Sequence, residues 1–256
     1  MSEDELKRCP FCDEEIRIKA VICKHCGQWL PGYTYESAIR DLIIQKQVTK
    51  IDPKNVVLAA KTREEQLQLV LLNWARSEKL SFKGFDLSAQ NLSGIDLSQA
   101  DLREADLSQA DLSKANLSRA DLSQANLFSA NLKGTNLQKA KLVGAYLREA
   151  ILEDADLSGG TLLRANLRGA FMSRATLYRV DMEDANLKMA NLSGANLRES
   201  YLKGTNLEAT RMEDAILNGA LLIGANLTGS DLTEFQYKRA RTLENITLPN
   251  GEVYSV

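Results

Sequence analysis

Residues 105–127 read ADLSQADLSKANLSRADLSQANL. Leucine falls on every fifth residue, with alanine two before it and Asp or Asn between. On an α-helix, five residues leave successive leucines about 140° apart, which forms no apolar stripe. On a continuous strand, side chains alternate between faces, so an odd repeat sends successive leucines to opposite sides. A hybrid buries them all. Three residues run extended, with alanine and leucine inward and the acid or amide outward. The remaining two, here SQ, SK or SR, turn a corner and restore the inward sense; small, polar and glycine residues suit such corners. Each pentapeptide is then one side of a coil, and stacked coils share one continuous core.

Outward from this stretch the register holds from Phe82 to Tyr237, giving 32 pentapeptides. Leucine centres 27 of them; the others are Phe82, Met172, Met182, Met212 and Tyr237. The slot two before is alanine in 20 of the 32. A large and a small inward residue in alternation fill a narrow core without voids.

The A[D/N]LXX pattern, in register over about 60% of the chain, resembles the pentapeptide-repeat family. That resemblance implies a mainly β fold: a right-handed quadrilateral parallel β-helix with four pentapeptides per coil. It implies about eight coils here, a rod about 40 Å long at about 4.8 Å per coil. On that geometry Asn166, Asn186, Asn206 and Asn226 stack one above another, where amides can bond along a ladder.

A solenoid needs caps at its open ends. The sequence divides into a zinc ribbon over 1–32, a helical linker and N-terminal cap over 33–80, the β-helix over 81–237 and a C-terminal cap or tail over 238–256. In the linker, Tyr35, Ile39 and Leu42 have helical spacing, and Leu67, Leu71 and Trp74 repeat it just before Phe82, which plugs the first coil. At the far end Phe235 and Tyr237 take the inward slots and close the rod, and Pro249-Asn250-Gly251 marks a turn between short β-prone runs.

The stretch CPFCDEEIRIKAVICKHCG, residues 9–27, carries the chain's only chemistry-bearing motif. Two C-x-x-C pairs can present four sulfurs to one ion, a tetrahedral set that suits Zn²⁺. The residues resemble bacterial zinc-ribbon modules of the CPxC…EEI…CxxCG kind. The expected ligands are Cys9, Cys12, Cys23 and Cys26, with one structural zinc per chain. A redox dithiol is the competing reading, although no thioredoxin-like βαβ pattern surrounds it. His25 inside the second pair is an alternative ligand.

Composition narrows the function. The chain has one histidine and no nucleophile, phosphate-loop or paired-acid signature, so it is read as non-catalytic. No apolar run is long enough for a membrane span, the N-terminus has no secretory core, and four cysteines in paired C-x-x-C motifs fit a reducing cytoplasm. Some pentapeptide-repeat proteins that protect DNA gyrase are acidic DNA mimics that dimerise end to end. Residues 82–237 instead carry 16 basic and 20 acidic groups, with no apparent dimerising helix. A homodimer is compatible with the sequence but not indicated by it. Neither does a basic stripe support nucleic-acid binding through the ribbon. These alternatives rank behind an interaction scaffold that binds another protein. Its candidate surface is a belt of apolar residues outside the inward slots: Val143, Tyr146, Ile151, Leu163 and Phe171.

Overall fold

The structure is a computed structural model that describes residues 81–254 and two short strands, β1 (Leu6–Arg8) and β2 (Glu15–Arg17). Those strands pair antiparallel, with Arg8 opposite Glu15. In sequence they lie on either side of the first C-x-x-C pair. The four cysteines, His25 and the 33–80 linker and cap lie outside the described residues.

From Ser81 onward the chain is a four-sided parallel β-helix. Each outward residue bridges the one twenty positions later, as Asp101 does Asp121 and Ile151 does Phe171. Four pentapeptides therefore make one coil. The backbone explains why the register is so strict. Leu102 N–H donates to Asp121 C=O at 2.8 Å, Asp121 N–H to Ala100 C=O at 2.9 Å, and Glu104 N–H to Ser123 C=O at 3.0 Å. A fourth bond closes each corner: Ala105 N–H reaches Leu102 C=O at 3.2 Å. An inserted residue would break this set on every neighbouring coil.

Each corner has a positive φ at its second residue. All thirty such positions from Gly84 to Gly229 are left-handed, and nineteen of them are not glycine. A side chain in that conformation costs about 1 kcal/mol or more. The ladders above and below each corner hold it there, and the polar long-chain residues that fill many of these positions point into solvent.

The outward Asp and Asn have a local task. Their side-chain oxygen accepts the N–H two residues on, as in Ser108 to Asp106 at 2.9 Å and Lys188 to Asn186 at 3.1 Å. This satisfies a corner N–H that the coil ladder leaves over. Asn166, Asn186, Asn206 and Asn226 all bond in this way. Bonds along the stack occur elsewhere, from Asn116 to Asp96 and Asn131 to Asp111, each at 3.0 Å.

Inside, the leucine and alanine slots are almost completely buried. Phe82 is buried in the first coil, its ring 5.6 Å from that of Phe85 in an edge-to-face contact. Where threonine replaces alanine its hydroxyl donates to a carbonyl, Thr135 to Leu112 at 2.7 Å and Thr205 to Met182 at 2.9 Å.

The C-terminal end departs from the expected register. Regular corners stop at Gly229, after seven and a half coils. The pentapeptide expected around Tyr237 is instead helix α1 (Glu234–Tyr237), which begins with a Thr233–Gln236 capping box. Phe235, expected inward, is 69% exposed, while Tyr237 is buried. Gln236 carries the cap: its amide donates to Met212 C=O at 2.9 Å and to Ala215 C=O at 3.2 Å. Those carbonyls lie on the last full coil, and the side chain meets them in place of a further backbone ladder. The helix adds one residue to the period. Leu221 bridges Thr242 and Asn226 bridges Thr247, each twenty-one apart. The coil thus resumes for two more sides at Leu243 and Leu248, with Ile246 fully buried. Strands β3 (Ile246–Thr247) and β4 (Val253–Tyr254) then pair antiparallel across Pro249-Asn250-Gly251.

Candidate partner-binding surface

The five belt residues all lie on the outside of the rod. Tyr146 and Phe171 are exposed; Val143, Ile151 and Leu163 are half-buried. Ile151 and Phe171 are bridged neighbours on one face. Val143 and Leu163 stack at one corner, where Gly144 N–H donates to Leu163 C=O at 2.8 Å. Tyr146 sits on the face between, bridged to Asn126 and Asn166. The belt is therefore a stacked pair on one face, a second stacked pair at a corner, and one tyrosine between them.

The sequence reading missed two residues. Met189 is 57% exposed at the corner beside Phe171, and Arg211 follows on the Phe171 face, one coil beyond Asn191. Phe171, Met189, Asn191, Ala209 and Arg211 surround a hollow of about 360 Å³. A signal for both was present: Met189 is the only large apolar residue at a left-handed corner, and Arg211 the only arginine in an outward slot. A second hollow, about 550 Å³, lies where α1 leaves the rod, among Glu213, Asp214, Ile216, Phe235 and Arg239. There the Arg239 guanidinium stacks over the Phe235 ring at 4.1 Å.

Charges on the rod neutralise one another along its axis. Lys133 pairs with Glu153 at 2.8 Å, Arg174 with Asp154 at 2.7 Å, Arg179 with Glu199 at 2.7 Å and Lys203 with Glu183 at 2.8 Å, in each case one coil apart. These pairs are exposed to solvent, which screens them, so they set the surface charge pattern more than the stability. Hydrogen bonds from arginine hold the carboxyls of Asp101, Asp154 and Glu199 below the usual carboxylate range. At Asp156 burial pushes the other way, and hydrogen bonds from Ser158 and Gln138 outweigh it. Such carboxylates are ionised acceptors and ill suited to proton transfer near neutral pH. Among the described residues no group of His, Cys, Asp and Glu could hold a metal ion, and no helix is long and apolar enough to cross a membrane.

The pentapeptide-repeat family description, in eight copies, matches residues 82–119, 91–127, 125–162, 162–198 and 200–234. No curated protein matches the chain. Among solved structures the chain is similar to HetL, a pentapeptide-repeat protein involved in heterocyst differentiation regulation from the cyanobacterium Nostoc sp. strain PCC 7120. Identity is 28% over 72% of this chain and 98% of that one, with a TM-score of 0.27. It is also similar to trypsin-treated QnrB1, a plasmid-mediated fluoroquinolone resistance protein, at 20% identity over 67% of this chain and 92% of that one, with a TM-score of 0.52. The second match shows a shared fold. With the family description covering more than half of its length, and with one coil every four pentapeptides, this chain belongs to the pentapeptide-repeat family of right-handed quadrilateral β-helices.

Proposed function

We propose that this chain is a non-catalytic scaffold that binds another protein through the side of its rod and carries a structural zinc ribbon at its N-terminal end. The observation that carries the reading is the placing of Ile151 and Phe171, stacked and outward, in slots the repeat otherwise gives mainly to Asp or Asn. A buried aromatic anchor often contributes over about 2 kcal/mol to an interface. The rod suits the task because every corner is fixed by ladders, so its side chains meet a partner with little ordering cost.

The zinc reading rests on the donor set and on the strand pairing beside it. Four cysteines in two C-x-x-C pairs match the thiolate tetrahedron of structural zinc. Strands β1 and β2, which pair antiparallel, lie on either side of Cys9 and Cys12 in sequence. Cys9, Cys12, Cys23 and Cys26 would hold the ion, which would stabilise a segment too small to bury a core of its own.

The test is affinity purification from the native host, with wild type and Phe171→Asn as bait. Asn is a residue the repeat places in this slot, and it would accept the Ser173 N–H as Asn191 accepts that of Ser193 at 3.1 Å. Folding should therefore be kept. Loss of a specific partner by the variant at unchanged melting temperature supports the reading. Equal recovery by both baits overturns the belt as the contact surface and moves the search to the zinc head.

A further inference from the structure

We propose that the hollow beside Phe171 is a peptide-docking groove whose ligand is an apolar anchor side chain followed by a carboxylate. The proposal rests on the interaction reading above and specifies its ligand. The groove is built from departures that the repeat does not need. Phe171, 47% exposed, stands on one side and Met189, 57% exposed, on the other. Small residues keep the corner low on both sides of Met189: Gly169 one coil before, Ala209 one coil after. A long side chain at either position would fill the groove. Met189 itself holds a left-handed φ of 62°, a strained place for an apolar side chain exposed to water. The hollow's volume of about 360 Å³ is near the lower end for ligand pockets, about 300 Å³.

Charge selects the ligand. Arg211 lies on the same face as Phe171, two coils along, and is exposed. Among the described residues its side chain makes no hydrogen bond or ion pair. Of the other cations around Phe171, Arg174 binds Asp154 through two nitrogens at 2.7 and 2.8 Å and Lys188 pairs with Glu208 at 2.9 Å, while Arg168 is exposed at the corner before Phe171 and does not line the hollow. The next outward acid beyond Arg211, Asp231, is engaged by the Met212 N–H. One free guanidinium at the end of an apolar groove is complementary to one carboxylate, and its planar fork suits that group. Coils about 4.8 Å apart put the Phe171 and Arg211 backbones about 10 Å apart, which an extended peptide covers in about three residues. The expected ligand is thus an extended segment of another protein with a Leu, Met or aromatic residue and an Asp or Glu about three positions away.

A phage-displayed library of random peptides, panned on the full chain, tests this. Wild type should select a peptide family with that apolar–acidic spacing. A synthetic peptide of the selected sequence should bind Arg211→Asp about tenfold or more weakly, the loss expected for one charge-assisted hydrogen bond. Aspartate is a residue the repeat places in this slot, so the variant keeps the fold, which its melting temperature checks. Arg198→Asp, exposed on another face, should bind the peptide as wild type does. Failure to select a peptide family, or selection of one lacking acids, overturns the proposal. So does equal affinity for Arg211→Asp. If Phe171→Asn abolishes binding while Arg211→Asp does not, the belt stands and the carboxylate assignment falls. If neither variant weakens binding, the belt reading falls as well.

Discussion

Replacing Leu147 by alanine tests the register at the middle of the rod. The side chain is fully buried, with Leu127 and Leu167 in the same slot one coil before and one coil after. Removing Cγ and both Cδ carbons forfeits about 2.4 kcal/mol of transfer energy at about 0.8 kcal/mol per buried carbon. A residual cavity of ~80 Å³ adds about 2 kcal/mol at about 24 cal/mol per Å³. In a helix bundle part of that cavity would close by backbone movement. Here the backbone is pinned on both sides: Leu147 N–H to Asn166 C=O at 2.7 Å, Asn166 N–H to Ala145 C=O at 2.9 Å, and Tyr146 N–H to Ala125 C=O at 3.0 Å. Little relaxation is available, so the cost should fall at about 4 kcal/mol, high in the usual range of about 2–5 kcal/mol. The neighbour Arg148 is exposed; it pairs with Glu149 at 3.0 Å and lies 6.0 Å from the Phe128 ring. Arg148→Ala should cost about 0.5 kcal/mol or less. Urea unfolding followed by circular dichroism compares the two. Because repeat arrays can lose cooperativity, amide exchange at Ala145 and Leu147 serves as a local check. A cost under about 1 kcal/mol for Leu147→Ala, or equal costs for the two variants, would refute the assignment of inward and outward slots.

Three further outcomes are expected. Gln236→Ala should leave the Met212 and Ala215 carbonyls without their cap, costing about 1–3 kcal/mol, and amide exchange should rise from residue 212 onward while coils before 200 stay protected; uniform exchange would place the cap elsewhere. Stability should be level from pH 8 to about pH 5 and decline below pH 4, because the carboxyls of Asp101, Asp154 and Glu199 have folded pKa values lowered by arginine. Such groups stabilise the fold above their unfolded pKa and lose that contribution as pH falls through the folded one; a melting temperature that rises on acidification would contradict these pairs. Purified chain should contain about one zinc, and Cys23→Ser should release it without changing the melting of the rod; metal analysis without zinc, on protein prepared free of chelator, would remove the ribbon.

The period of five made the architecture legible because each slot is forced by a separate physical demand. Leucine fills the core, alanine fits beside it, and a small or polar pair turns the corner. The choice of Asp or Asn was not explained by the outward direction alone. Its reason is a hydrogen bond to a corner N–H, visible only once the corner geometry is known, as at Ser108 and Asp106. The C-terminal end was misread because Phe235 and Tyr237 keep the five-residue spacing in sequence, while Thr233 and Gln236 form a capping box that turns the same residues into a helix. A helix of one turn then absorbs one extra residue, and the repeats at Leu243 and Leu248 fall out of phase with any strict count of five. The surface follows a different logic. Where a slot is dictated by the fold it says nothing about a partner, so the information lies in departures that the fold tolerates without requiring. Ile151 and Phe171 were visible as departures in the Asp/Asn slot. Met189 stood out only as a large apolar residue in a corner slot, and its meaning depends on Phe171 standing opposite and Gly169 and Ala209 flanking it. Arg211 is read in the same way: an arginine is ordinary on a rod where cations are common, and this one becomes informative because it lines the hollow beside Phe171.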